Sequence, residues 1–138
     1  MSSISTQTLL IFAVRAWAPR LTRALHAAGH TNLQPRHGSV FMHADREGAF
    51  VRTLSERAGI AKSAMGALVD ELERFGYLSR RTERIDCPPL IVPTARGLEA
   101  ISIIRECNRQ MEIELQQTLG NAGYQDLRQA LQRLAKSR

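Results

Sequence analysis

The sequence is poor in the residues that make cross-links, catalytic centres and membrane spans. Its two cysteines, Cys87 and Cys107, lack CxxC spacing. They are too few for a disulfide framework, so no structural zinc is implied and a reducing cytoplasm is the expected location. The longest apolar run, Leu9 to Val14, stops at Arg15, well short of the roughly 20 residues that a bilayer span requires. Ala16-Trp17-Ala18 imitates a signal-peptidase site, but no basic residue precedes it and Arg15 interrupts the apolar stretch, which speaks against secretion. The chain has no glycine-rich phosphate loop, no HExxH, no GxSxG and no persuasive Cys/His pairing. Neither an enzyme nor a bound cofactor is expected. Acidic side chains are also in deficit, 13 against 19 basic ones, which leaves a formal charge of +6.

The remaining composition is that of a folded protein. Hydrophobic residues at 43% and charged residues at 23% are ordinary for a globular chain, and 138 residues suit one domain spanning 1–138. A positive surplus and a pI near 10.3 point to a polyanionic partner, nucleic acid first among them. Seventeen of the basic residues are arginine, whose planar fork suits phosphates and guanine edges.

Periodicity predicts a mainly helical chain. Leu9, Leu10, Val14, Trp17, Leu21 and Leu25 recur at helical spacing from Thr6 to about Ala28, with Gly29 as a stop and Pro19 expected to kink or divide the helix. A short second helix is expected over Pro35–Ala44. Thr53-Leu54-Ser55-Glu56 has the form of a capping box for a third helix ending near Ala58. After Gly59, a fourth helix from Lys62 to Phe75 carries Met65, Leu68, Val69 and Leu72 on one stripe. Two strands follow, 77–82 and 88–93, around a polar tip at 83–86, with prolines confining the second to an edge. Thr94 is the N-cap expected by residue type for a long helix to about Leu119, and Gly120 to Gly123 interrupts before a last helix carrying Leu127, Leu131 and Leu134. The fold class is therefore mainly α with a small β-hairpin (α+β), in the order helix, turn, helix, hairpin that defines a winged helix-turn-helix.

At Leu54-Ser55-Glu56-Arg57-Ala58-Gly59-Ile60, Met65 to Leu72, Phe75-Gly76-Tyr77-Leu78-Ser79-Arg80-Arg81 and Thr94-Ala95-Arg96-Gly97, the sequence resembles the MarR-type bacterial transcription regulators. The resemblance covers most of the chain. It implies a homodimer formed through helical segments 5–30 and 94–138, a winged helix-turn-helix over 35–93 that binds double-stranded DNA, and small-molecule effectors lodged between the dimer base and the reading heads. Two departures stand out. The wing keeps an acid at Asp86 but has Pro88 where the family usually has an arginine, and it is about one residue short before Thr94. Ala61 takes the place of the usual capping Ser or Thr before the reading helix, which costs about 1 kcal/mol where nothing substitutes.

The expected DNA-binding residues are Lys62, Ser63, Gly66 and Ala67, which together with Asp70 lie opposite the apolar stripe of the fourth helix, Arg57 before it, and Arg80, Arg81 and Arg84 around the hairpin. With few long donors on the helix, specificity is expected to draw on water, wing arginines and DNA shape. For an effector, a small aromatic or phenolic acid, the candidates are Trp17 and Leu21 on the first helix, His37 and Phe41 on the second, and Arg15 or Arg20 to meet the anion. His26, His30, His37 and His43 lack a neighbouring carboxylate or cysteine at ligand spacing, so no metal site is expected. Two other readings stay open: a winged-helix interaction or architectural protein without a specific operator, and a thiol-responsive regulator using Cys87, which lies at the wing with Arg84 three residues away. The regulator is expected to repress from an inverted-repeat operator. The stripes Leu98/Ile101/Ile104/Met111/Leu115 and Leu127/Leu131/Leu134 exceed what a small reading head can cover, which favours a homodimer.

Overall fold

In a computed structural model, residues 3–136 are described; residues 1, 2, 137 and 138, which the expected ranges 1–138 and 94–138 include, lie outside them. The chain forms two compact units, residues 1–105 and 106–138.

The first unit opens with α1 (Thr6–Ala27), whose N-cap Ser5 accepts the Thr8 amide proton at 3.1 Å. Pro19 lies inside α1 without dividing it. The proline withdraws one donor from the Arg15 carbonyl, and Arg15 is exposed, so water can take that place. A single 3-10 turn (Pro35–His37) leads into α2 (Gly38–Phe41), the short second helix in two pieces. Next come α3 (Val51–Ala58) and α4 (Lys62–Arg74). Gly59 turns between them with φ at 69°, a left-handed value that residues with a Cβ rarely adopt.

The start of α3 corrects the capping-box expectation. Phe50, not Thr53, is the N-cap, and its side chain accepts no capping bond. The helix begins early because Ala49 is already committed: it exchanges two backbone bonds with Ile91, at 3.0 and 2.8 Å. The extended segment ends there and leaves Phe50 to enter the helix.

Strands β1 (Leu78–Arg81) and β2 (Leu90–Pro93) pair antiparallel, Leu78 opposite Pro93 and Arg81 opposite Leu90. With Ala49 on the far side of β2, the wing sheet has a rudimentary third strand. Thr94 is the cap expected of it: its hydroxyl oxygen accepts the Gly97 amide proton at 3.1 Å while the hydroxyl donates to the Gly76 carbonyl at 2.6 Å. Helix α5 (Ala95–Lys136) follows.

The core of this unit joins Leu25, Leu33, Val40, Phe41, Leu54, Met65, Val69, Leu72, Tyr77, Ile91, Ile101 and Ile104. Tyr77 is its centre. Its ring meets Phe41 edge-on at 5.8 Å, the Arg96 guanidinium stacks over it at 4.4 Å, and its hydroxyl bonds His30 Nδ1 at 2.8 Å. A Cβ on Gly97 would stand 2.1 Å from the Tyr77 carbonyl oxygen, so only glycine lets α5 start this close to the wing. Of the stripe expected to cover a partner, Ile101 and Ile104 are thus core residues of the first unit.

In the second unit α5 continues to Gly120, where φ 74° and ψ 168° break the helix as expected. Arg128 beyond the break reaches Glu112 before it at 3.6 Å and lies 5.9 Å from the Tyr124 ring, so the two helical stretches double back into a hairpin.

Candidate nucleic-acid interface

Helix α4 buries Met65, Val69 and Leu72 and turns Lys62, Ser63, Ala67 and Asp70 outward, with Gly66 half-buried among them. Its N-cap Ala61 has the extended backbone of a cap and no side-chain acceptor, so the first-turn amides of α4 lack the usual hydroxyl cap. Beside this turn lies a cavity of about 450 Å³, open to solvent, lined by Phe50, Arg52, Lys62, Ser63, Gly66, Arg80, Pro88 and Pro89 among others. One concavity therefore gathers the start of α3, the start of α4 and the base of the wing. Lys62, Ser63, Gly66 and Arg80 meet there as a set. Phe50 and Arg52 carry no signal in the sequence, and Pro88 and Pro89 stand out there only as a departure in the wing and as edge-strand residues. Arg52 reads as an ordinary helix-surface partner of Glu56, 3.8 Å away, and nothing in a one-dimensional pattern brings Pro88 beside α4.

The other arginines are more occupied than a charge run suggests. Arg80 turns back from the wing onto α4, pairing with Asp70 and, at 3.2 Å, with Glu73. Arg81 donates to Glu83 at 2.6 Å and to the Glu47 carbonyl at 3.4 Å. Arg84 stands 3.7 Å from Asp86 and keeps a 73% exposed side chain. Arg57 donates to the His43 carbonyl at 2.8 Å and to Asp45 at 2.9 Å, tying the end of α3 to the loop before it. Lys62 has no ion-pair partner among the described residues.

The six effector candidates stand in different surroundings. Arg15 borders a shallow depression of about 290 Å³ with Leu10, Ile11 and Val14, all on α1. Trp17 is half-buried, with the Arg20 guanidinium 4.8 Å from its ring. His37 and Phe41 are core residues, 1% and 3% exposed. His37 Nδ1 accepts the Gln34 amide proton at 2.9 Å, so the ring proton is on Nε2, which donates to Glu71. The bonds from His37 and Arg36 hold the Glu71 carboxyl below its usual range. His26 and His30 are similarly employed, His26 on the Leu33 carbonyl at 2.7 Å and His30 between Tyr77 and Glu99. Among the described residues, no group of three or more His, Cys, Asp or Glu is placed to hold a metal ion. No helix among them is long and apolar enough to cross a membrane. Cys87 is half-buried with its Sγ 3.8 Å from Asp86, and Cys107 packs against Met111 Sδ at 3.9 Å.

No family profile and no curated protein sequence matches the chain. Solved structures do. A MarR-family transcriptional regulator from Rhodococcus sp. RHA1 shares 22% identity over 96% of this chain and 98% of its own, with a TM-score of 0.69. Staphylococcus aureus MepR in complex with DNA shares 15% identity over 96% of each chain, with a TM-score of 0.76. The transcriptional regulator BldR from Sulfolobus solfataricus shares 20% identity over the full length of both, with a TM-score of 0.67. The chain has the winged helix-turn-helix fold of MarR-type regulators.

Proposed function

We propose that this chain is a non-enzymatic, sequence-specific DNA-binding transcription regulator, acting as a homodimer and repressing from an inverted-repeat operator. The observation that carries the reading is the α4 surface. An outward helix face of small and donor residues, Lys62, Ser63, Gly66 and Ala67, stands beside a basic hairpin on a fold shared with a DNA-bound protein. Small side chains let a helix backbone approach base edges closely, and Lys62 and Ser63 supply donors in its first turn. Arg80 contributes by pairing with Asp70 and Glu73, which offsets part of their negative charge beside the α4 face. Arg81 and Arg84 on the hairpin are phosphate contacts, and Arg57 holds the start of the helix-turn-helix in place.

A second copy is proposed to cover the apolar surface that each unit leaves in water. On α1, Leu9, Leu10, Ile11, Phe12 and Val14 are 41–63% exposed, and in the second unit Leu119, Leu131 and Leu134 are 43–58% exposed; contiguous patches of this kind mark interfaces.

The test is enrichment of bound fragments from a random pool of duplex DNA with the purified full chain. A recovered palindrome with half-sites about 10 base pairs apart, centre to centre, supports a two-fold regulator. Recovery of duplexes without shared sequence would favour an architectural protein instead.

A further inference from the structure

The tip of the wing, polar at Glu83, Arg84 and Asp86, presents one apolar side chain among them. Ile85 is 101% exposed, as open as in an isolated extended peptide, so no packing within the fold accounts for it. Its neighbours cancel in charge. Arg81 is engaged by Glu83 at 2.6 Å and Arg84 stands 3.7 Å from Asp86, so the apex carries two cations and two anions, and charge alone is a weak source of affinity there. The side chain left fully open to solvent is aliphatic, carried on a loop that returns to β2 through the rigid pair Pro88 and Pro89.

We propose that Ile85 enters the minor groove beside the major groove that α4 reads and partly unstacks a base step, so that the wing works by deforming DNA as well as by charge. The proposal rests on the DNA-binding reading above. Apolar side chains inserted between base steps kink a duplex by about 20° or more and let it wrap more protein surface. The exchange suits this chain, whose α4 offers few long donors: shape and deformability then supply part of the specificity.

The experiment uses the full chain and the duplex recovered from the random pool, end-labelled for energy transfer. Ile85→Ser is expected to bind about tenfold more weakly, the scale of removing most of a buried aliphatic side chain. Its salt slope should equal that of the wild type, and the bend of the complex should be lost. Ile85→Leu keeps both affinity and bend. Because Ile85 packs against nothing, the thermal midpoints of both variants match the wild type, which excludes misfolding as the cause. If Ile85→Ser binds and bends the duplex as the wild type does, the wedge is wrong while DNA binding stands. If Arg84→Ala makes the salt slope shallower by about one unit and Ile85→Ser changes nothing, the wing acts by charge alone and the proposal is overturned. A wild-type chain that binds neither the selected duplex nor random DNA overturns the DNA reading, and the wedge with it.

Discussion

Gly66 offers the sharpest separation of folding from function. It lies inside α4, where glycine is less favourable than alanine by about 0.5–1 kcal/mol because it loses more backbone freedom. A Cβ placed there meets nothing within 4 Å, so no packing loss opposes the gain. The Gly66→Ala chain should therefore be more stable by about 0.5–1 kcal/mol, raising the melting temperature by about 2–5 °C for a chain of this size. The methyl group would project from the face that also bears Lys62 and Ser63 and into the adjoining concavity. If that face lies against base edges, the helix must retreat, and losing one good base contact costs about 1–3 kcal/mol, or roughly five- to hundredfold in affinity. Melting followed by circular dichroism and binding followed by fluorescence anisotropy on the selected duplex give the two numbers. A Gly66→Ala chain that is more stable and binds equally tightly would remove Gly66 from the interface, and with it the close approach of α4.

Gly97→Ala should lose about 3 kcal/mol or more, since its Cβ would stand 2.1 Å from a backbone carbonyl that itself accepts the Thr94 amide proton; urea unfolding midpoints check this. Phe12→Glu, on the exposed face of α1, should give a folded monomer by analytical ultracentrifugation, and a persistent dimer would place the subunit contact elsewhere. Lys62→Ala is expected to alter which sequences the random pool yields, whereas Arg81→Ala weakens all duplexes alike, with a shallower salt slope. For pH, the Glu71 carboxyl is held low in the folded state by His37 and Arg36. Its stabilising contribution is present above the unfolded value of about 4.3 and is lost as pH falls through the lower folded value. Urea midpoints between pH 5 and pH 3 should therefore fall less steeply for Glu71→Gln than for the wild type.

The helices were legible because their signals are local. The α4 stripe Met65, Val69 and Leu72 repeats at helical spacing and is fully buried, and Thr94 and Gly120 act at the positions their residue types suggest. The start of α3 was not legible, since it is set by the pairing of Ala49 with Ile91, 42 positions away, which outweighs a local capping pattern at Thr53. The same limit applies to the site. Residue type marks Lys62, Arg80, Arg81 and Arg84 as basic and near a reading helix, but only the fold shows that Arg80 is turned back onto Asp70 and Glu73. His37 and Phe41 have the chemistry of an aromatic-acid pocket, yet helical spacing alone does not reveal which side of a short helix faces the core. Ile85 gave no pattern at all; its meaning lies in its exposure.

The central claim is specific recognition of DNA by α4 and the wing, and the affinity ratio between the selected duplex and a scrambled duplex of equal length and composition tests it most directly. Measured by anisotropy at one fixed salt concentration near 150 mM, a sequence-specific regulator binds the selected duplex about a thousandfold or more tightly than the scrambled one. A ratio near one, with a steep salt dependence for both, would contradict the claim and leave a general DNA-binding winged helix in its place.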